Sequence, residues 1–288
     1  MMRSLYSAVS GLKNHQTRMD VIGNNIANVN TAAYKTSRVV FQDIYSQTLR
    51  TGASGSDTLG GTNPTQVGLG VTLSAIDVIH TSAPTAYSDN PTDLAIEGDG
   101  YFVIDINGVG TDDENLGGVF YTRAGNFYVD NLGRLVTSDG YFVLGYTYDP
   151  GDDIVTPTTP DVDDLEIIEL EGYTGISFDN TGVIWGINAA DEKVAIAKVA
   201  IAMFTNNSGL EKKGGSLYGA TGASGAAVYT GAREMGAGKL NPGGLEMSNV
   251  DLAAEFTDMI ITQRGFQANS RVITTSDSML EELVNLKR

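Results

Sequence analysis

The chain holds two histidines, His15 and His80, and no cysteine. Those counts narrow the available chemistry at once. Thiolate nucleophiles, thiolate zinc sites and disulfides are excluded. A Ser-His-Asp unit would have to be built on one of the two rings, and no Gly-x-Ser-x-Gly elbow supports it. Glu97 and Asp99 flank Gly98 and have the residue types of a paired-carboxylate acid–base site, but no motif beside them supplies a substrate groove. Asp112, Asp113 and Glu114 form one acidic cluster, and Asp152, Asp153, Asp161, Asp163 and Asp164 another. Neither has the Gly and terminal Glu of a calcium loop, so both read as solvated loops. Gly68-Leu69-Gly70 lacks the third glycine of a dinucleotide turn. Gly238-Lys239 is followed by Leu240 where a phosphate loop needs Ser or Thr, and Arg233 stands where its first Gly belongs. Asn206-Asn207-Ser208 is a glycosylation sequon of the kind that arises by chance. No catalytic residue, cofactor or metal site is expected, and the chain reads as non-enzymatic.

The periodic elements lie at the ends. Leu5, Val9, Leu12, Gln16, Met19, Gly23 and Ile26 follow a 4-3-4-3 spacing, which predicts a helix of about 25 residues with a narrow, coiled-coil-like seam. It runs into an Asn-rich stretch containing Asn24, Asn25 and Asn28. These amides serve equally well as helix caps and turns or as polar contacts to a neighbouring chain. At the other end Leu252, Phe256, Met259, Gln263, Phe266, Ser270, Ile273, Asp277, Leu280 and Val284 repeat the pattern for about 36 residues. Ser248 and Asp251 have the spacing of a capping box, which places the start near Asn249. Gly265 is the weak point of this helix. Neither stripe can be buried by its own helix, so the simplest arrangement packs the two termini together. The seam residues then comprise Leu5, Val9, Leu12, Met19 and Ile26 with Leu252, Phe256, Met259, Phe266, Ile273, Leu280 and Val284.

Between the ends the period changes. Residues 51–70 are rich in Gly, Ser and Thr and read as a linker, and residues 71–90 as an extended arm. From 91 to 230, β-branched and aromatic runs alternate with Gly-Asp, Asn-Leu-Gly and Asp-Gly turns, which predicts an all-β domain, a sandwich or partly closed barrel. The expected class is α+β. A helical core domain is formed by 1–35 and 248–288, connectors by 36–90 and 231–247, and a β domain by 91–230.

Net charge is −17, and it is uneven: residues 51–244 carry 26 acidic and eight basic side chains. That balance argues against a nucleic-acid partner, which needs clustered Lys and Arg. No segment has the apolar length to span a bilayer. The start, MMRSLYSAVSGLKNHQ, lacks the apolar stretch of a secretory signal, so export without a cleaved signal is expected.

Four segments carry a family resemblance. NNIANVNTAAYKTSR resembles the N-terminal signature of flagellar rod and hook proteins. DLAIEGDGYFVI and YTRAGNFYVDNLGRLVTSDGYFVLGY look like their β-domain motifs, and SNVDLAAEFTDMIITQRGFQANSRVITTSDSMLEELVNLKR resembles their C-terminal helix. Within the family the final helix is most similar to the hook type, in a short form with no inserted outer domain; the distal-rod type shares the same plan. The resemblance implies a subunit that copies of itself surround in a helical, hollow polymer outside the cell. It implies export through the flagellar type III apparatus, neighbours that include the distal rod protein, the hook cap and the hook–filament junction proteins, and a role in passing motor torque to the filament. A different class, a secreted β-domain adhesin or carbohydrate-acting enzyme, has only Trp185 as a tryptophan platform.

Overall fold

A computed structural model describes residues 2–55, 60–107, 118–148, 165–188 and 190–286. The acidic clusters around Asp112 and Asp152 lie outside the described residues. The architecture is α+β, with a long helix at each end, strands between them, and sheets that do not close into a barrel. The chain forms two compact units. A helical unit comprises Met1–Val29, Thr36–Ile79 and Val250–Arg288, and a β unit comprises Asn30–Lys35 and His80–Asn249.

In the helical unit, α1 (Met2–Ala27) and α2 (Leu252–Asn285) pair antiparallel. α2 starts at Leu252 because Asp251, rather than Ser248, is its cap: the Asp251 carboxylate accepts from the amides of Ala253 and Ala254 at 2.9 and 3.4 Å. Glu255 in the first turn complements the positive helix end. The closest approach of the two helices is made by small residues facing larger ones. A Cβ on Gly11 would sit 2.6 Å from Asn269 Nδ2, and one on Gly265 would sit 2.7 Å from His15 Cε1. Gly265 therefore trades helix propensity for a close crossing with α1. Arg18 pairs with Asp258 at 3.0 Å along the same line.

Among the described residues, four strands belong to this unit. β1 (Ser37–Asp43) pairs antiparallel with β4 (Val71–Val78), with a bulge between Val40 and Phe41. β2 (Ser46–Arg50) and β3 (Thr65–Gly68) form a hairpin, so part of the expected linker is ordered structure. α1 holds β4 through side chains: Asn14 Nδ2 donates to the Val71 carbonyl at 2.7 Å, and the Val71 amide donates to Ser10 Oγ at 3.3 Å. Asn25 holds β1. Its amide nitrogen donates to the Ser37 carbonyl at 2.9 Å and its oxygen accepts from the Ser37 amide at 3.0 Å, the two-way bond a neighbouring strand would make.

The β unit is organised on one open antiparallel sheet. Along it lie Thr174–Phe178, Val183–Ile187, Lys193–Val199, Phe142–Thr147, Tyr101–Asp105, Val119–Thr122, Leu217–Gly219 and Glu211–Gly214, in that order. Its central strand is buried on both faces, which is why YFVID reads as an uninterrupted apolar run. Phe102 and Ile104 join one core cluster with Leu94, Phe127 and Ile184, while Tyr101 and Val103 join another with Tyr121, Phe204 and Tyr229. Glu211–Gly214, at one edge, is exposed and carries Lys212 and Lys213, which discourages edge-to-edge pairing.

Candidate subunit-contact surface

Only one flank of each terminal helix is used up by intramolecular packing. Ala8, Gly11, Ile22 and Asn25 are buried on α1, and Thr262 and Ser276 on α2. Leu5, Leu12, Met19 and Ile26 are half-buried, as are Met259, Phe266, Ile273 and Leu280. Val9, Leu252, Phe256 and Val284 are exposed. Thus the expected stripe is divided: eight of its residues are half-buried, and Val9, Leu252, Phe256 and Val284 face outward. Of the three asparagines, Asn25 is buried in its bonds to Ser37 and to Glu255 Oε1 at 3.0 Å. Asn28 folds back on the Asn24 carbonyl at 2.9 Å, and Asn24 faces outward.

Besides the expected residues, α2 exposes apolar side chains that the 4-3 pattern passes over. Ile260 is 58% and Ile261 56% exposed, beside Phe256 of the expected stripe at 50%. Leu252, Phe256 and Ile260 succeed one another at four-residue steps and form one row. Ile261, Val272 and Met279 recur after three and two helical turns and form another. Contiguous exposed apolar rows of this kind are uncommon on a chain that works alone. No helix among the described residues is long and apolar enough to cross a membrane. A reading by strict heptads assigns one stripe per helix, whereas a helix with neighbours on several sides carries two.

The residues first considered for chemistry have other partners. His15 packs edge-on to Phe41 in the helical unit, and His80 belongs to the β unit. Glu97 makes a surface ion pair with Lys239 at 2.9 Å. Among the described residues no cluster of His, Asp and Glu has the makings of a metal site.

One group of charges escaped the sequence reading. Lys35, Arg123 and Glu246 are 0, 2 and 1% exposed. Lys35 Nζ donates to Glu246 Oε1 at 2.7 Å, and Arg123 Nη1 reaches both carboxylate oxygens at 3.2 Å. Burial holds the Lys35 ammonium below the usual lysine range, Glu246 opposing the shift. Lys35 and Glu246 are 211 positions apart and Arg123 and Glu246 are 123 apart, so spacing carries no signal of their meeting.

His80 stands beside this group. Its Nδ1 is 2.7 Å from the Tyr101 hydroxyl, and its ring packs edge-on to Tyr101 and Tyr218. Burial, reinforced by the nearby charges of Lys35, Arg123 and Lys212, pushes its pKa down from 6.5 to about 4. The folded state thus favours neutral His80. The unfolded chain takes up the proton first as pH falls, so this contribution to stability is complete above about pH 6.5 and is lost on descending toward about pH 4. The ring is partly accessible to solvent, which reduces the effect to about 1–2 kcal/mol. Urea midpoints at pH 7 and pH 4.5 should show a larger fall for the parent chain than for His80→Gln.

Comparison with known proteins agrees with this geometry. Residues 5–35 match the family described as flagella basal body rod protein, residues 95–186 the flagellar hook protein FlgE/F/G D1 domain, and residues 241–286 the flagellar basal body rod FlgEFG protein C-terminal region. The chain is 47% identical to the flagellar basal-body rod protein FlgG of Bacillus subtilis over 291 aligned positions, covering all of both chains. It is 35% identical to FlgG of Caulobacter vibrioides, covering 99% of this chain and all of that one. It is 30% identical to the flagellar hook protein FlgE of Borreliella burgdorferi, over 450 aligned positions that again cover both chains. The chain belongs to the flagellar basal-body rod and hook protein family, whose members are structural parts of the bacterial flagellum and not enzymes.

Proposed function

We propose that this chain is the distal-rod subunit of the flagellar basal body, assembling through its terminal helices into a straight, hollow shaft that carries torque. The hook-type assignment drawn from the final helix gives way to the rod type. One observation carries the choice. Alignment with the rod protein of Bacillus subtilis takes 291 positions for a chain of 288 residues, whereas alignment with the hook protein of Borreliella burgdorferi takes 450. The hook relative therefore holds a large insertion that this chain lacks, while the rod relative matches it nearly position for position. The terminal helix that suggested a hook is common ground for the family and does not discriminate. Copies of the same chain are the main partners in this reading, with the hook protein beyond them and the type III apparatus as the export route.

The exposed rows on α2 support assembly, since they offer apolar surface that a single chain leaves in water. The β2–β3 hairpin supports a rigid shaft. Every residue of both strands is exposed, and Leu49 and Val67 are among the exposed large apolar residues. A two-stranded hairpin without a core is marginal by itself, so a neighbouring subunit is the natural partner to hold it.

Purified chain concentrated in high salt, or added to preformed rods, and viewed by negative-stain electron microscopy tests the reading. Straight hollow tubes are expected. Curved tubes would restore the hook assignment, and failure to extend a rod template would reject both. Deletion of residues 46–68 should leave assembly intact and turn straight tubes into curved or flexible ones.

A further inference from the structure

The segments that join the terminal helices to the rest of the chain both belong to the β unit: residues 30–35 follow α1, and residues up to 249 precede α2. The buried charges lie where these two segments meet. Glu246 Oε1 accepts from Lys35 Nζ at 2.7 Å, from the Ala83 amide at 3.0 Å and from Arg123 Nη1 at 3.2 Å. The remaining donors end on main-chain carbonyls: Lys35 on Thr81 at 2.7 Å, Arg123 on Gly98 at 2.6 Å and on Gly100 at 2.9 Å. The main chains are tied as well, with the Ala33 amide on the Glu246 carbonyl at 2.8 Å and the Asn249 amide on the Tyr34 carbonyl at 3.3 Å. Lys212 covers the outside, donating to the Lys35 carbonyl at 3.0 Å with its ammonium 4.6 Å from the centre of the Tyr34 ring.

Stability alone is a poor reason for such a cluster, since apolar side chains of like volume would serve a core as well or better. What charges add is a unique, strongly held geometry at one point: charge-assisted hydrogen bonds in a dry site are strong and directional. Lys35 and Glu246 are 211 positions apart in the chain. Their contact therefore closes nearly the whole excursion between the two helices at its base.

We propose that Lys35, Arg123 and Glu246 form a mechanical clamp. Tension drawn along the two terminal helices crosses from residues 30–35 to residues 244–249 through the clamp, and the strands enclosed behind it are shielded from load. Arg123 anchors the clamp to the sheet, since it follows directly on the strand Val119–Thr122. The purpose of the device, protecting a torque-carrying subunit, rests on the distal-rod reading; its existence does not, and it can be measured on a single chain without any polymer.

The absence of cysteine makes the experiment direct, because Arg3→Cys and Glu281→Cys supply the only two attachment points, one on each helix. Under an optical trap, tension between them parts α1 from α2 and then falls on the clamp. Lys35→Met removes one arm but leaves Arg123 and Glu246 as a neutral pair. The β unit of this variant should unfold roughly tenfold or more faster under constant tension, while its urea midpoint without load stays near that of the parent. Equal lifetimes under tension would overturn the clamp, as would a urea midpoint that falls in step with the lifetime, because the lysine would then be a general stabiliser. Lys212→Met provides a second reading should Lys35→Met fail to fold: it loosens the same segment from outside and must also shorten the lifetime under tension, and an unchanged lifetime there would equally count against the proposal.

Discussion

Glu246→Gln is expected to destabilise the β unit by about 3–5 kcal/mol, the cost of stranding buried charges without their counter-ion. The substitution keeps the volume and one acceptor oxygen but leaves Lys35 and Arg123 as two buried cations with no anion between them. Their main-chain partners, the carbonyls of Thr81, Gly98 and Gly100, hold hydrogen bonds but no negative charge. Loss of the same magnitude is not expected from Lys35→Met, which leaves a neutral Arg123–Glu246 pair; the two variants together separate charge balance from side-chain packing. Trp185, the single tryptophan, lies on the strand Val183–Ile187 of the β unit and reports its unfolding by fluorescence in urea. A midpoint for Glu246→Gln within about 0.5 kcal/mol of the parent, the range of ordinary surface changes, would show that the cluster is hydrated and not the dry site its burial indicates.

Phe256→Asp is expected to abolish assembly while leaving the single chain folded. Phe256 is half exposed, so an aspartate in its place meets water in the monomer and should change stability by no more than about 0.5 kcal/mol. In a polymer that covers the row Leu252, Phe256 and Ile260, the same carboxylate would be buried without a partner at a cost of several kcal/mol, about 2–7 even for a neutral polar group. Circular dichroism of the monomer and sedimentation of the concentrated chain separate the two effects. Phe266→Asp is the less informative change: Phe266 is half-buried against the chain's own packing, so the monomer itself would suffer. Tubes formed by Phe256→Asp at normal concentration would remove α2's first row from the contact surface.

Much of the architecture was legible in advance, and the reason is physical. Helices with a 3.5-residue repeat and strands bounded by Gly and Asp turns are local patterns, set by neighbours a few positions away. The α+β class, the terminal helices and the β middle follow from such patterns. Where local cues compete, the sequence reading slipped. Ser248 and Asp251 both have capping chemistry, and the helix begins after Asp251 because that carboxylate is the one that accepts from the first helical amides. Gly265 reads as a defect until His15 is seen to fill the space its missing side chain leaves. The Gly-rich stretch after Thr51 conceals the second strand of a hairpin, since Thr65–Gly68 has little apolar content of its own.

The asparagines show the same division at the level of one residue type. Asn24, Asn25 and Asn28 are equivalent in composition, and only the fold separates them: Asn25 alone meets the Ser37 main chain and is sealed from water. By itself the sequence determined that this chain is a non-enzymatic α+β member of the flagellar rod and hook family, with periodic helices at both ends and an acidic β-rich middle. The tertiary structure alone decided which apolar residues of those helices are consumed internally and which remain in water. It also brought together Lys35, Arg123 and Glu246, because charges that are distant in the chain leave no periodic trace and acquire their partners only when the two segments bracketing the long excursion return to the same place.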